Sequence, residues 1–270
     1  SNKVSINGFF EPDTKYVYQY TDNYSDNGDT VWSAEYTYTT HATDTFSVIL
    51  TGDPQIGASG SKSDKDANDM SIAQDAYNWN KTMQKAMEID PDASFLLSAG
   101  DQINESNAGS EETKKTRESE YAGYLYPSVF RSLPIAATIG NHDKDGSDYT
   151  AHFNNPNSED NLGSTGAGCD FYFNNGNVLF ISLNSNNRNQ TEHREFMKKA
   201  IASNPQGIVA TASMNNLYIE TATELVTVYT TLKDAIAKGG NENMLTGAER
   251  SKTLWELNDR LAQFNKKLSR

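Results

Sequence analysis

Three apolar runs, each ending in a short polar signature, constrain the fold of this 270-residue chain more than any other feature. They are FSVILTGDPQIG from Phe46, SFLLSAGDQIN from Ser94 and LPIAATIGNHD from Leu133. Runs rich in Phe, Val, Ile and Leu that stop at Gly predict buried strands ending where the backbone turns sharply. Between the first two, Ile72, Ala76, Trp79, Met83 and Ala86 recur at helical spacing and put one apolar face on the sheet. A charged helical stretch around Glu111 to Glu120 separates the second run from the third. Strands alternating with helices predict an α/β fold. The signatures hold Asp53 with Gln55, Asp101 with Asn104, and Asn141, His142 and Asp143. Three such strands in one sheet would place two carboxylates, a side-chain amide and an imidazole along a single edge. Open α/β sheets build their sites at that edge, outside the carboxyl ends of the strands. Oxygen donors beside a His point to a hard or borderline metal centre with an acid/base group next to it.

The bulk composition narrows the partners. With 36% hydrophobic residues, 22% charged and no apolar stretch near membrane-span length, the chain has the make-up of a soluble globular protein. A formal net charge of −13 argues against nucleic acid or an anionic membrane, both of which select basic patches. The same acidity bears on an anionic substrate such as a phosphate ester. Carboxylates would repel it unless bound cations reverse the local sign. One cysteine, Cys169, excludes an intramolecular disulfide and fits either a cytosolic protein or a secreted one. The chain begins Ser-Asn and shows no signal peptide.

Residues 1–44 read as β. Tyr16, Tyr18 and Tyr20 alternate after the turn signal Glu11-Pro12-Asp13, and Trp32 precedes Tyr36 and Tyr38. Two readings of this segment stand side by side. It resembles the closing strands of a fibronectin type III-like module, only part of a sandwich that needs about 100 residues. It also reads as an aromatic edge hairpin packed on the main domain. Residues 45–212 form the α/β unit. Late in it, Phe171–Phe173 and Val178–Leu183 are predicted to pair across Asn174-Asn175-Gly176, a hairpin signal. A helix from Thr191 to Ser203 and a short strand-like run from Gly207 to Ala212 follow. Residues 213–270 carry two amphipathic patterns, Leu225 to Ile236 and Leu254 to Leu268, which predict a helical hairpin without chemistry of its own.

Taken in order, Gly-Asp-x-Gln, Gly-Asp-x-x-Asn and Gly-Asn-His-Asp resemble the calcineurin-like metallophosphoesterases, in particular their purple-acid-phosphatase-like bacterial branch. The resemblance runs from about Phe46 to Pro205. It implies a metallophosphoesterase β-sandwich flanked by helices, here incomplete on its carboxyl side. It also implies two metal ions roughly 3.5 to 4 Å apart, with a bridging hydroxide attacking phosphorus in line. On this resemblance Asp101 bridges the metals, Asp53 binds the first and Asn141 the second. His142 stands over the substrate and protonates the leaving oxygen, with Asp143 orienting its ring. A phosphate monoester is the favoured substrate, with diesters and nucleotides left open, and the location expected is extracellular or cell envelope. Taken alone, each Gly-Asp is more simply a turn or a helix cap. For His142 the alternative, given less weight, is a structural loop histidine.

Several positions depart from the family pattern. Gln55 stands where many relatives have a His, and is either an amide-oxygen ligand or a supporting group. Asn104 replaces the tyrosine that colours purple acid phosphatases. A colourless protein using manganese, zinc or iron is therefore expected, with Asn104 facing the substrate. The family's three downstream His ligands have no counterpart. The four histidines are His41, His142, His152 and His193, with none beyond. His41 falls in a linker, His152 is a candidate pocket residue for which a structural role is the stronger alternative, and His193 is expected to be exposed at a helix start. Either the segment after Pro205 has been deleted or omitted, or the domain has decayed into a non-catalytic binding protein that keeps the fold. A nucleotide-binding α/β protein is a third reading, which the absence of any Gly-rich phosphate loop disfavours.

Overall fold

The computed structural model describes residues 3–6, 8, 10–25, 27–41, 45–60, 65–203 and 208–213. In chain order the strands are β1 (Lys15–Tyr18), β2 (Tyr36–Thr39), β3 (Ile49–Thr51), β4 (Leu96–Ser98), β5 (Ile135–Ala137), β6 (Phe171–Asn175), β7 (Val178–Leu183) and β8 (Ile208–Ser213). The helices are α1 (Lys65–Ile89), α2 (Glu111–Tyr124), α3 (Asp148–His152) and α4 (Gln190–Ser203), with a 3-10 turn at Ser128–Arg131. The expected helical hairpin of 213–270 lies outside the described residues.

The three apolar runs become three adjacent parallel strands in the order β3-β4-β5. Their register is level: Ile49 pairs with Leu96 and Leu96 with Ile135, while Thr51 pairs with Ser98 and Ser98 with Ala137. All three signatures therefore leave the sheet at the same height. A second sheet, β6-β7-β8, combines an antiparallel β6/β7 pair with a parallel β7/β8 pair. Strand β6 runs on two residues past its predicted end. Asn175 still pairs with Val178, so Gly176-Asn177 form the loop. Gly176 alone takes a positive φ (57°), the pattern of a type II′ turn.

Alternation along the short parallel strands separates two apolar layers. Leu96 and Ala137 face the helices, where they join Ile72, Trp79, Met83, Tyr121 and Tyr124. Phe95 and Ala136 face the second sheet and pack with Phe180, Leu97, Phe173 and Val178. Ser182 Oγ donates to Thr138 Oγ1 at 3.0 Å, a polar link between the two sheets. The periodic face of α1 is the one that is buried, and Trp79 Nε1 donates to Tyr124 O at 2.9 Å. Ser110 and Thr113 form a reciprocal capping box that starts α2 after the second signature loop.

The N-terminal aromatic segment is an antiparallel pair in which Tyr16 faces Tyr38 and Tyr18 faces Tyr36. Tyr18 Oη donates to Arg131 O at 2.6 Å, and the Arg131 guanidinium lies 5.4 Å from the Tyr36 ring centre. These contacts dock the pair beside the 3-10 turn. Val17, Tyr20 and Trp32 remain exposed.

Candidate metal centre

The backbone at the strand ends is unusual. Asp53 (φ 52°), Gln55 (φ 37°) and Asp101 (φ 52°) all occupy the left-handed region, as does Gly100 (φ 117°). A non-glycine residue there costs of order 1 kcal/mol or more and persists where surrounding structure imposes it. Here a ladder between the first two signature loops imposes it. Asp53 N–H donates to Gly100 O, Gln55 N–H to Asp101 O, Ile56 N–H to Gln102 O, and Asn104 N–H back to Ile56 O. The third loop closes on the second through Gly140. A Cβ at Gly140 would stand 2.0 Å from Asp101 N and 2.2 Å from its Oδ1. Gly140 is required for close approach, not for a positive φ.

Asp101 is the centre of the resulting cluster. It is 2% exposed. Its Oδ1 accepts the His142 N–H at 2.9 Å, its Oδ2 accepts Gln55 Nε2 at 3.2 Å, and His142 Nε2 lies 3.9 Å from Oδ2. Asp53 is exposed. Its carboxyl is nevertheless pushed above its ordinary value, first by desolvation and then by the charge of Asp101, with His142 opposing. Asp53, Asp101 and His142 thus lie within electrostatic reach of one another. Asn141 is half-buried on the same loop, beside Gly140. Gln55 meets Asp101 as a donor through Nε2, the contact expected of a supporting group.

Three placements differ from the expectations. The His142 ring is held by Asn104, whose main-chain O lies 2.5 Å from Nδ1, and not by Asp143. Asp143 turns into the core, where it accepts from Gly140 N–H at 2.9 Å, Gln102 N–H at 3.4 Å and Tyr121 Oη at 3.0 Å. Burial pushes its carboxyl up to about 7 against those donors. It shapes the loop under His142 instead of touching the ring. His152 ends α3, stacked on Tyr121 with ring centres 4.7 Å apart, its Nδ1 2.8 Å from Asp148 O and its Nε2 3.4 Å from Glu118. The contacts of His152 are with these residues rather than with Asp53, Asp101 or His142. His193 is buried, 4% exposed. Its Nδ1 lies 2.7 Å from Asp170 Oδ2 and its Nε2 2.8 Å from Asn187 O. It shares a face of α4 with Phe196, Met197 and Ala200, a spacing that was there to be read.

Other residues around the loops carry no sequence motif. Asp75 on α1 accepts the N–H groups of Gly57 (3.0 Å) and Ser59 (3.2 Å), tying down the first loop. Glu120 on α2 accepts those of Asn104 (3.0 Å) and Glu105 (2.7 Å), beneath the second. Arg117, on the same helix, donates to carbonyls of the second and third loops. From the second sheet, Asn186 Nδ2 donates to Ile139 O at 3.2 Å and Gly140 O at 3.1 Å.

Parallel strands with level acidic ends, and a Gly-Asn-His-Asp loop closed over the central aspartate, meet a matching family model. The calcineurin-like phosphoesterase model covers residues 46–236, well over half of the chain. The chain belongs to the calcineurin-like phosphoesterases. The match continues past Pro205, where the motif-level resemblance ends. No curated protein matches the sequence. Family membership assigns metal-dependent hydrolysis of phosphoesters as the chemistry, with divalent cations as the cofactor class.

The residues fit such a cation in part. Two mutually repelling carboxylates with carboxamides nearby form an oxygen-donor set suited to a hard divalent ion. Among the described residues, no group of three or more His, Cys, Asp and Glu side chains is arranged to hold a metal. What the phosphoesterase presents is therefore the oxygen-donor portion of a centre.

Proposed function

We propose that the chain hydrolyses phosphate monoesters, with Asp53, Asp101 and Asn141 as metal ligands and His142 as the proton donor to the leaving oxygen. The observation that carries this reading is the seating of the Gly-Asn-His-Asp loop on Asp101, with His142 N–H at 2.9 Å and Nε2 at 3.9 Å. Bound divalent cations would supply the charge that draws an anionic ester to a chain of net charge −13 and would lower the pKa of a water nucleophile. Asp101, with two carboxylate oxygens, is the residue able to serve two cations. Asp53 lies at the exposed rim, where a ligand can enter. A carbonyl oxygen can only accept, so Nδ1 of His142 keeps its hydrogen toward Asn104 O. Nε2 is then the atom that delivers a proton to the departing alkoxide. Asn104 contributes through its main chain, and Gln55 steadies Asp101.

Turnover of nitrophenyl phosphate with added manganese, zinc or ferrous iron tests the reading. His142→Ala should lower kcat by about 100- to 10,000-fold, the usual worth of a general acid, and Asp101→Ala should abolish turnover. Preference for the monoester over bis(nitrophenyl) phosphate tests the substrate class. The lack of a three-residue His, Cys, Asp or Glu cluster among the described residues favours one rival, a binding protein that keeps the fold without turnover. A metal-free, inert protein of this mass would establish that rival.

A further inference from the structure

We propose that Arg117 and Glu120 of α2 are positioning residues for His142, holding its backbone and ring so that Nδ1 carries the fixed hydrogen and Nε2 the exchangeable one. The inference rests on the reading of His142 as the proton donor.

The observation is a pair of buried ionisable side chains on a helix whose other charged residues are solvated. In EETKKTRESEYAGY most charged side chains are exposed, yet Arg117 is 0% exposed and Glu120 is 2% exposed. Three residues apart, they lie on one helix face. Burying an ion costs several kcal/mol unless hydrogen bonds surround it, so such groups need an account of what they hold. Arg117 forks onto the Asp148 carboxylate through Nε and Nη2. Its remaining donors reach Glu105 O at 2.7 Å, His142 O at 2.8 Å, Asp143 O at 3.2 Å and Asp145 O at 2.8 Å. Glu120 accepts the consecutive N–H groups of Asn104 and Glu105.

His142 is therefore held at two points from one helix. Arg117 fixes its main-chain carbonyl. Glu120 fixes the residue whose own carbonyl receives Nδ1–H. A turn of α2 relative to the sheet would move both supports together. Which imidazole nitrogen is protonated follows from the bond that the other one makes. The helix thus sets the proton position at the reacting nitrogen without touching the substrate. A pair serving stability alone would leave that proton position unaffected.

The test is 15N-detected NMR of the imidazole groups in the full chain, with or without diamagnetic zinc, His142 being assigned by loss of its signals in His142→Asn. In its neutral form, wild-type His142 should be the Nδ1–H tautomer, as the bond to Asn104 O requires. Glu120→Ala should admit the Nε2–H form and lower kcat on nitrophenyl phosphate by about 10- to 100-fold with KM nearly unchanged. Glu120→Gln, whose amide oxygen can accept the same two N–H groups, should restore both. Arg117→Lys, which loses the planar fork, should act like Glu120→Ala. An Nε2–H tautomer in the wild type overturns the proposal without recourse to any variant. So does a folded Glu120→Ala that keeps the Nδ1–H form and wild-type kcat. If the wild type turns over no phosphate ester, the phosphoesterase reading fails on its own, and the tautomer shift in the variants still decides the positioning role.

Discussion

At the scale of single residues, conformation and charge are carried by side chains whose types do not announce it. Asp53 and Asp101 adopt a backbone conformation that glycine accepts more readily, with the ladder between their loops enforcing it. Glu120 has the clearest consequence for pH. Burial raises its carboxyl to about 7 from 4.5, against the two backbone donors that favour ionisation. A carboxyl raised in the folded state binds its proton more tightly there than in the unfolded chain. Its contribution to stability is fully present below about pH 4.5 and is lost as the pH rises through about 7. Glu120→Gln cannot titrate. Between those limits its unfolding free energy should therefore gain on the wild type by about 3 kcal/mol, measured by urea denaturation. A difference between the two proteins that does not vary with pH would refute the assignment.

Elements show where pattern reading succeeds. The apolar spacing from Ile72 to Met83 identifies the buried face of α1, because a helix meeting a sheet has one face to cover. Met83 is fully buried among Trp79, Leu96 and Tyr124. Met83→Ala should cost about 2 to 5 kcal/mol of stability, seen as a lower midpoint with an unchanged denaturant slope. A cost below about 1 kcal/mol would mean that the site collapses or that the helix is not seated as described. The Asn-Gly signal located the β6/β7 hairpin, but β6 runs on to Asn175, two residues past its predicted end, so Gly176 opens the turn instead of closing it. Helix α2 shows the opposite case. Its composition gives no sign that Arg117 and Glu120 are buried, because their partners are the Asp148 carboxylate and main-chain groups of loops outside the helix.

For the whole molecule, the acidic edge is a source of repulsion that a cation removes. Desolvation and then the charge of Asp101 raise the carboxyl of Asp53, so Asp53→Asn should stabilise the metal-free protein slightly. Manganese or zinc at about 100 times its dissociation constant should stabilise the wild type by about 2.7 kcal/mol, read as a rise in thermal midpoint. That rise should disappear in the Asp53→Asn, Asp101→Asn double variant. A wild-type midpoint that ignores both metals would count against a functional centre. The sequence alone determined that three apolar runs end in acidic, amide and imidazole side chains, and that strands alternate with helices. Those properties follow from local periodicity and from chemistry at neighbouring positions. Only the tertiary structure decided that the strand ends are level, that Gly140 lets one loop close on Asp101, and that Asn104 rather than Asp143 holds the His142 ring. Each of these depends on hydrogen bonds between segments some forty residues apart, and no local pattern encodes which donor meets which acceptor.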